Sequence, residues 1–200
     1  ANPTGQVLPT QQLLQLLESL ENQCVVVIDE AYAEYSQSSS ALALMQKFPH
    51  LVVLNTLSKA HALAGARIGC VIANAELIAV LKACQAPYPI SKPSAELALQ
   101  AFSEAALAST KQHIDEALTQ RLWMIEKLSA LGNVLRVYQT DANFILVQFR
   151  QPEKTYQALI EQGILVRNMA QYPAINDCLR ISIGTPTENQ ALLRFLEMSL

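Results

Sequence analysis

Val25-Val26-Val27-Ile28-Asp29-Glu30-Ala31-Tyr32 is the stretch that decides the fold class. Its first four residues are apolar without alternation, the pattern of a strand covered on both faces. The run ends in a carboxylate, Asp29, at the carboxyl end of the strand, where open α/β sheets place their ligands. Upstream, Thr10 is expected to cap a helix whose Leu13, Leu14, Leu17 and Leu20 share one face. Downstream, residues 51–54 (Leu-Val-Val-Leu) form a second apolar run, followed by Asn55-Thr56-Leu57-Ser58-Lys59. A third, residues 70–73, follows the turn Gly65-Ala66-Arg67-Ile68-Gly69, and Asn74 then caps a helix to about residue 85. Strands alternating with helices in this rhythm indicate an α/β sheet covered on both faces.

The pattern changes at Ala86-Pro87-Tyr88-Pro89-Ile90-Ser91-Lys92-Pro93, whose three prolines mark a linker or a domain edge. From residue 94 to about 131 there is no Pro or Gly, which predicts one long helix, kinked near Ser109-Thr110. A strand is expected over 143–149, a helix from Pro152 to the stop at Gly163, and strands over 164–166 and 179–183. The last helix opens on Thr185-Pro186-Thr187-Glu188, a cap, a Pro at the first position and a Glu three residues after the cap. The second half therefore reads as a smaller α+β unit, and the expected domains are 1–103 and 104–200.

Composition narrows the function. Of 200 residues, 51% are hydrophobic and only 16% charged, against about 25% charged in ordinary globular domains. Part of the surface is thus expected to lie under a partner subunit or a further segment. A net charge of −3 without a basic run argues against a nucleic-acid partner held by phosphate neutralisation. The six glycines build neither a dinucleotide-binding fingerprint nor a P-loop. Cys24, Cys70, Cys84 and Cys178 form no C-x-x-C and read as reduced core residues of a cytosolic protein, and the scattered His50, His61 and His113 suggest no metal site. No apolar stretch is long enough to span a membrane. The chain opens without Met on Ala1-Asn2-Pro3-Thr4-Gly5, so a fragment is expected.

Asp29 at a buried strand end calls for a cation. It also has two plainer readings: an exposed strand-end carboxylate, or the Asp-Glu of a Walker-B segment that lacks its Walker-A loop. Lys59 is either a solvated charge or, enclosed near Arg67, an amine with nucleophilic character. Ser58 and Arg67 supply a hydroxyl and a bidentate fork suited to a phosphate group, and Tyr32 can present its phenol on the same rim. Glu30 reads as a structural acceptor, His61 as packing on a turn, and Trp123 as core or interface packing.

Asn2-Pro3-Thr4-Gly5, Asp29-Glu30-Ala31-Tyr32, Ser58-Lys59 and Gly65-Ala66-Arg67-Ile68-Gly69, in this order and spacing, with Arg180 in Leu179-Arg180-Ile181-Ser182, resemble the fold-type I pyridoxal-phosphate aminotransferases. Within that family the histidinol-phosphate aminotransferases are the closer likeness. It rests on Thr56-Leu57-Ser58-Lys59-Ala60, on Ala86-Pro87-Tyr88-Pro89-Ile90-Ser91 and on the pair Val166-Arg167 and Leu179-Arg180-Ile181.

The resemblance implies the C-terminal half of the large cofactor-binding domain, a mostly parallel sheet with helices on both faces, followed by a small α+β domain. It implies pyridoxal 5'-phosphate as cofactor. Lys59 would be the catalytic amine that holds the cofactor aldehyde and moves the substrate proton. Asp29 would pair with the pyridine nitrogen, Tyr32 and Asn2 would hydrogen-bond the ring's phenolic oxygen, and Ser58 and Arg67 would grip the phosphate. Arg180 would fork the carboxylate of glutamate or 2-oxoglutarate. Arg167 would hold the phosphate of histidinol phosphate, its plainer reading being a surface residue after an edge strand. The implied reaction moves an amino group between glutamate and imidazole-acetol phosphate in histidine biosynthesis, in a cytoplasmic homodimer. Alternatives within the fold are an aromatic aminotransferase and a threonine-phosphate decarboxylase; outside catalysis, a pyridoxal-fold module of a regulator. Family members carry an upstream segment not found here, so this chain alone is expected to have an incomplete pocket.

Overall fold

The computed structural model describes residues 1–199. Contacts divide the chain into two compact units: Val7–His113, and Ala1–Gln6 together with residues from Ile114 onward. They are called here the N-terminal and C-terminal units.

The N-terminal unit contains α1 (Thr10–Ser19), β1 (Val26–Asp29), β2 (Leu51–Thr56), β3 (Gly69–Ile72), α2 (Ala75–Cys84), α3 (Lys92–Ala101) and the start of α4 (Glu104–Ser129). The sheet order is β1-β2-β3, with β1 parallel and β3 antiparallel to β2. Register places Val26 opposite Leu51 and Ile28 opposite Val53. These residues form one face, buried against Leu13 and Leu17 of α1, Ala41 and Phe48. Burying that stripe is what makes α1 a helix in water, since a helix of ten residues is marginal by itself.

The other face differs from the expectation of cover. Val27 is 53% exposed, and Val25 and Val71 are also open, because nothing among the described residues packs over them. Neither α2 nor α3 has a buried residue. The cysteines differ for the same reason: Cys24, Cys70 and Cys84 are exposed and only Cys178 is buried, all four as free thiols.

Local signals decide where the helices start. Asn74 caps α2, its Oδ1 accepting from Leu77 N–H at 2.8 Å. Thr10 does not cap α1; it is the first helical residue, after Pro9. The single long helix expected from residue 94 is two helices. Ser91 caps α3, and the chain restarts at Ser103, whose Oγ accepts from Ala106 N–H and whose carbonyl accepts from Leu107 N–H. A serine that supplies its own cap breaks the run where neither Gly nor Pro does.

The C-terminal unit contains the rest of α4, β4 (Val134–Val137), β5 (Phe144–Phe149), α5 (Pro152–Glu161), β6 (Arg167–Asn168), β7 (Cys178–Ser182) and α6 (Pro186–Ser199). Its sheet is antiparallel throughout, in the order β4-β5-β7-β6. Ile145, Val147, Phe149, Leu179 and Ile181 form the inner face, packed on Met124 and Leu128 of α4, Leu159 of α5, and Leu192, Leu193 and Leu196 of α6; Trp123 packs at the margin. The short strand expected over 164–166 instead forms at Arg167–Asn168, where pairing with Arg180 and Leu179 satisfies the backbone. Thr185 and Glu188 make the expected reciprocal cap of α6.

Residues 1–6 belong to this unit through Gly5. Its carbonyl accepts from Asp141 N–H at 2.7 Å, and its φ of +86° brings the backbone so close to Thr140 that a Cβ would collide with it. Only glycine fits that approach.

Candidate functional site

In the N-terminal unit the parallel pairing of β1 and β2 puts both carboxyl ends at one sheet edge. Asp29 ends β1 and is exposed rather than buried, in line with its plainer reading; its Oδ1 accepts from Ala31 N–H at 2.9 Å and shapes the turn that carries Tyr32. Lys59 follows β2, and its Nζ lies 5.1 Å from the centre of the Tyr32 ring, a cation–π distance. A lysine and a phenol thus meet beside a strand-end carboxylate. Ser58 lies on the same turn; its Oγ accepts from Thr56 Oγ1 at 2.9 Å and its backbone N–H donates to that oxygen. Arg67 is exposed, with left-handed backbone (φ +58°), and Nη1 donates to the Ala64 carbonyl at 3.0 Å. Glu30 is the structural acceptor expected, taking bonds from Ser40 Oγ at 2.7 Å and Ala41 N–H at 2.6 Å.

The sequence reading passed over Glu34, two residues beyond Tyr32. Burial raises its carboxyl above the usual range, opposed by its own backbone N–H, the charge of His61 and a hydrogen bond from Asn55. The available signal was its spacing: Tyr32 and Glu34 follow β1 as Lys59 and His61 follow β2.

In the C-terminal unit Asn2, Arg167 and Arg180 gather on the outer face of the sheet. Arg167 and Arg180 are register partners on neighbouring strands. Like charges directly opposite each other are unfavourable unless an anion intervenes. Arg180 stands with its guanidinium carbon 4.7 Å from the centre of the Phe144 ring and donates from Nη1 to Asn2 Oδ1. Its Nε is buried without a partner, an unspent donor of the fork that binds carboxylates. Phe144, which braces this arginine, is a site residue that the sequence reading missed; it lay inside an ordinary apolar strand.

Residues 1–196 match the family described as aminotransferase class I and II. The chain belongs to this family. Among curated relatives, the chain is 46% identical over 197 residues to the histidinol-phosphate aminotransferase of Xanthomonas campestris pv. campestris; the match covers 98% of this chain and 54% of that protein. It is similar in structure to the histidinol-phosphate aminotransferase of Clostridium acetobutylicum, with a TM-score of 0.84 at 29% identity, covering 98% of this chain and 60% of that one. It shares the fold of the Sinorhizobium meliloti histidinol-phosphate aminotransferase, a structure in complex with pyridoxal-5'-phosphate, with a TM-score of 0.85 at 23% identity, over 98% of this chain and 54% of that one. The chain spans about half the length of the curated relatives it matches. Among the described residues no helix is long and apolar enough to cross a membrane.

Proposed function

We propose that this chain carries the catalytic lysine and substrate-binding arginines of a pyridoxal-phosphate-dependent histidinol-phosphate aminotransferase. The observation that carries the reading is the meeting of Lys59 and Tyr32 beside Asp29 at the carboxyl edge of the parallel pair. The donor set at this edge suits the cofactor: an amine for its aldehyde, a carboxylate for its pyridine N–H, a phenol for its ring oxygen, and Ser58 with Arg67 for its phosphate. Once bound, pyridoxal phosphate supplies the electron-accepting ring on which amino transfer depends.

The remaining work belongs to the chain's own groups. Lys59 Nζ takes and returns the proton of the substrate α-carbon. Asp29 keeps the pyridine nitrogen protonated by offering it an anion. Arg180, with its unspent Nε–H, forks the carboxylate of glutamate or 2-oxoglutarate. Arg167 takes the phosphate of the second substrate; the two opposed guanidinium groups suit a protein that handles anions at both ends of its reaction. Residues 1–103 are read as the cofactor domain and 104–200 as the small domain, in a cytoplasmic homodimer without nucleic-acid partners.

The test is Lys59→Ala in the intact protein. Transamination between histidinol phosphate and 2-oxoglutarate is expected to fall by about two to four orders of magnitude. Borohydride is expected to fix the cofactor on Lys59 in the unaltered protein and nowhere in the variant. Undiminished turnover, or label on another side chain, overturns the reading. Arg167→Ala is expected to raise KM for the phosphate-bearing substrate while leaving that for glutamate; an unchanged KM removes the phosphate role.

A further inference from the structure

Two residues from the Lys59–Tyr32 contact, on both of its sides, lies a polar atom closed off from solvent without a hydrogen-bond partner. One is Oε2 of Glu34, on the short turn Ala33–Tyr35 behind β1; the other is Nδ1 of His61, on the loop behind β2. Their chemistry is complementary, since a carboxylate accepts and an imidazole nitrogen can donate. Glu34 faces three groups: Asn55 of β2, which hydrogen-bonds it, His61, whose charge favours its ionised form, and Glu30 at the end of β1, whose charge opposes it. The imidazole is fixed from its other side by Phe102 at the end of α3, with ring centres 5.4 Å apart at a 47° tilt.

The loop that His61 belongs to is the one that presents Lys59. It is tied at its ends by backbone bonds, Leu57 N–H to Ile68 O at 3.2 Å and Leu63 N–H to Leu57 O at 3.0 Å. Between them Ala62 sits at a φ of +55°, a left-handed conformation that an alanine keeps only where its surroundings demand it. The side chain next to it, His61, packs on the Phe102 ring.

We propose that Glu34 is a positioning residue for Lys59: through His61 its carboxylate holds the loop over 57–63 so that the lysine amine stays above the Tyr32 ring. The inference rests on the reading of Lys59 as the amine that receives the cofactor. When Glu34 is ionised the couple is attractive and the loop is held; when Glu34 takes up a proton the hold is released. The groups that set this balance are His61, Glu30 and Asn55.

The experiment compares the intact protein with E34Q, H61Q and the double variant, each checked for folding by circular dichroism. The first measurement follows the Glu34 carboxyl by carbon-13 NMR against pH in cofactor-free protein. The second follows the rate at which pyridoxal phosphate becomes fixed to Lys59 under borohydride, read by peptide mass spectrometry over the same pH range. The unaltered protein is expected to show an inflection in labelling rate that coincides with the Glu34 titration. E34Q is expected to erase the inflection and slow labelling at neutral pH roughly twofold to fivefold. H61Q is expected to move the carboxyl titration to higher pH, and the double variant to behave as E34Q. E34Q with unchanged rate and inflection overturns the positioning role, as does a carboxyl titration indifferent to H61Q. An unaltered protein that carries no label on Lys59 overturns the cofactor reading, and with it the positioning role; a carboxyl titration that moves in H61Q while the labelling rate of E34Q stays unchanged overturns the positioning role and leaves only an electrostatic contact.

Discussion

The two units spend similar sequence on different surfaces. In the C-terminal unit β5 reads Phe-Ile-Leu-Val-Gln-Phe; its Phe144, Ile145, Leu146, Val147 and Phe149 are all buried, between three helices on one face and Tyr138, Met169 and Cys178 on the other. In the N-terminal unit β1 reads Val-Val-Ile-Asp, and only its Val26 is buried. The helices repeat the contrast. The stripe of α6 closes on the sheet through Leu192, Leu193 and Leu196, while α2 leaves Val80 and Leu81 exposed. Apolarity along a strand records that burial is favourable; it does not record what does the burying.

Cysteine chemistry is expected to show the largest difference between the units. Cys24, Cys70 and Cys84 are exposed in the N-terminal unit, whereas Cys178 lies in the C-terminal sheet with its thiol pushed up to about 12 by burial and by Asp177. Since the thiolate is the reacting form, alkylation at mildly alkaline pH should label the first three and leave Cys178 roughly a thousandfold slower. Peptide mapping after a timed exposure checks this; early label on Cys178 would mean that its sheet opens readily.

Core truncation comes next. Phe149→Ala in the closed core should cost about 3–5 kcal/mol, whereas Val27→Ala on the open face should stay within ~0.5 kcal/mol. Urea melts of the two variants test the contrast directly, and equal losses would show that the face of β1 is covered in solution.

A smaller effect is expected at the α6 cap. Thr185→Ala removes the hydroxyl that accepts from Glu188 N–H at 3.3 Å and donates to its carboxylate at 2.8 Å, and should cost about 1 kcal/mol. The Thr185 N–H and hydroxyl hold the Glu188 carboxyl below its usual range, so their contribution is present at neutral pH and fades as acid protonates it.

The smallest change belongs to Glu34, and its sign is opposite. Burial raises its carboxyl, so the folded chain binds the proton more tightly than the unfolded one. Stability from this group therefore falls as pH rises from the ordinary glutamate range through the raised value. Thermal melts of the protein and of E34Q across that window should converge at the acid end and separate above it in favour of the variant.

Much of the candidate site was legible because its chemistry is local. Asp29 ends an apolar run, and Ser58 and Lys59 directly follow another; parallel pairing brings two such ends together without further instruction. The boundary at Ser103 was not legible: a single hydroxyl outweighed a stretch of good helix formers. Nor was the docking of residues 1–6 on the β4–β5 connection, where a turn motif at the chain start meets Thr140 and Asp141 far along the sequence.

Residue order by itself determined the α/β class, the capping of α2 and α6, and the side chains able to do chemistry, because periodicity, caps and functional groups are properties of neighbours along the chain. Tertiary structure alone decided that Arg167 faces Arg180, that Asn2 and Phe144 serve that arginine, and that the buried carboxyl of Glu34 meets Asn55. Those relations depend on strand register and on loop paths closed by distant residues, and no local preference encodes either.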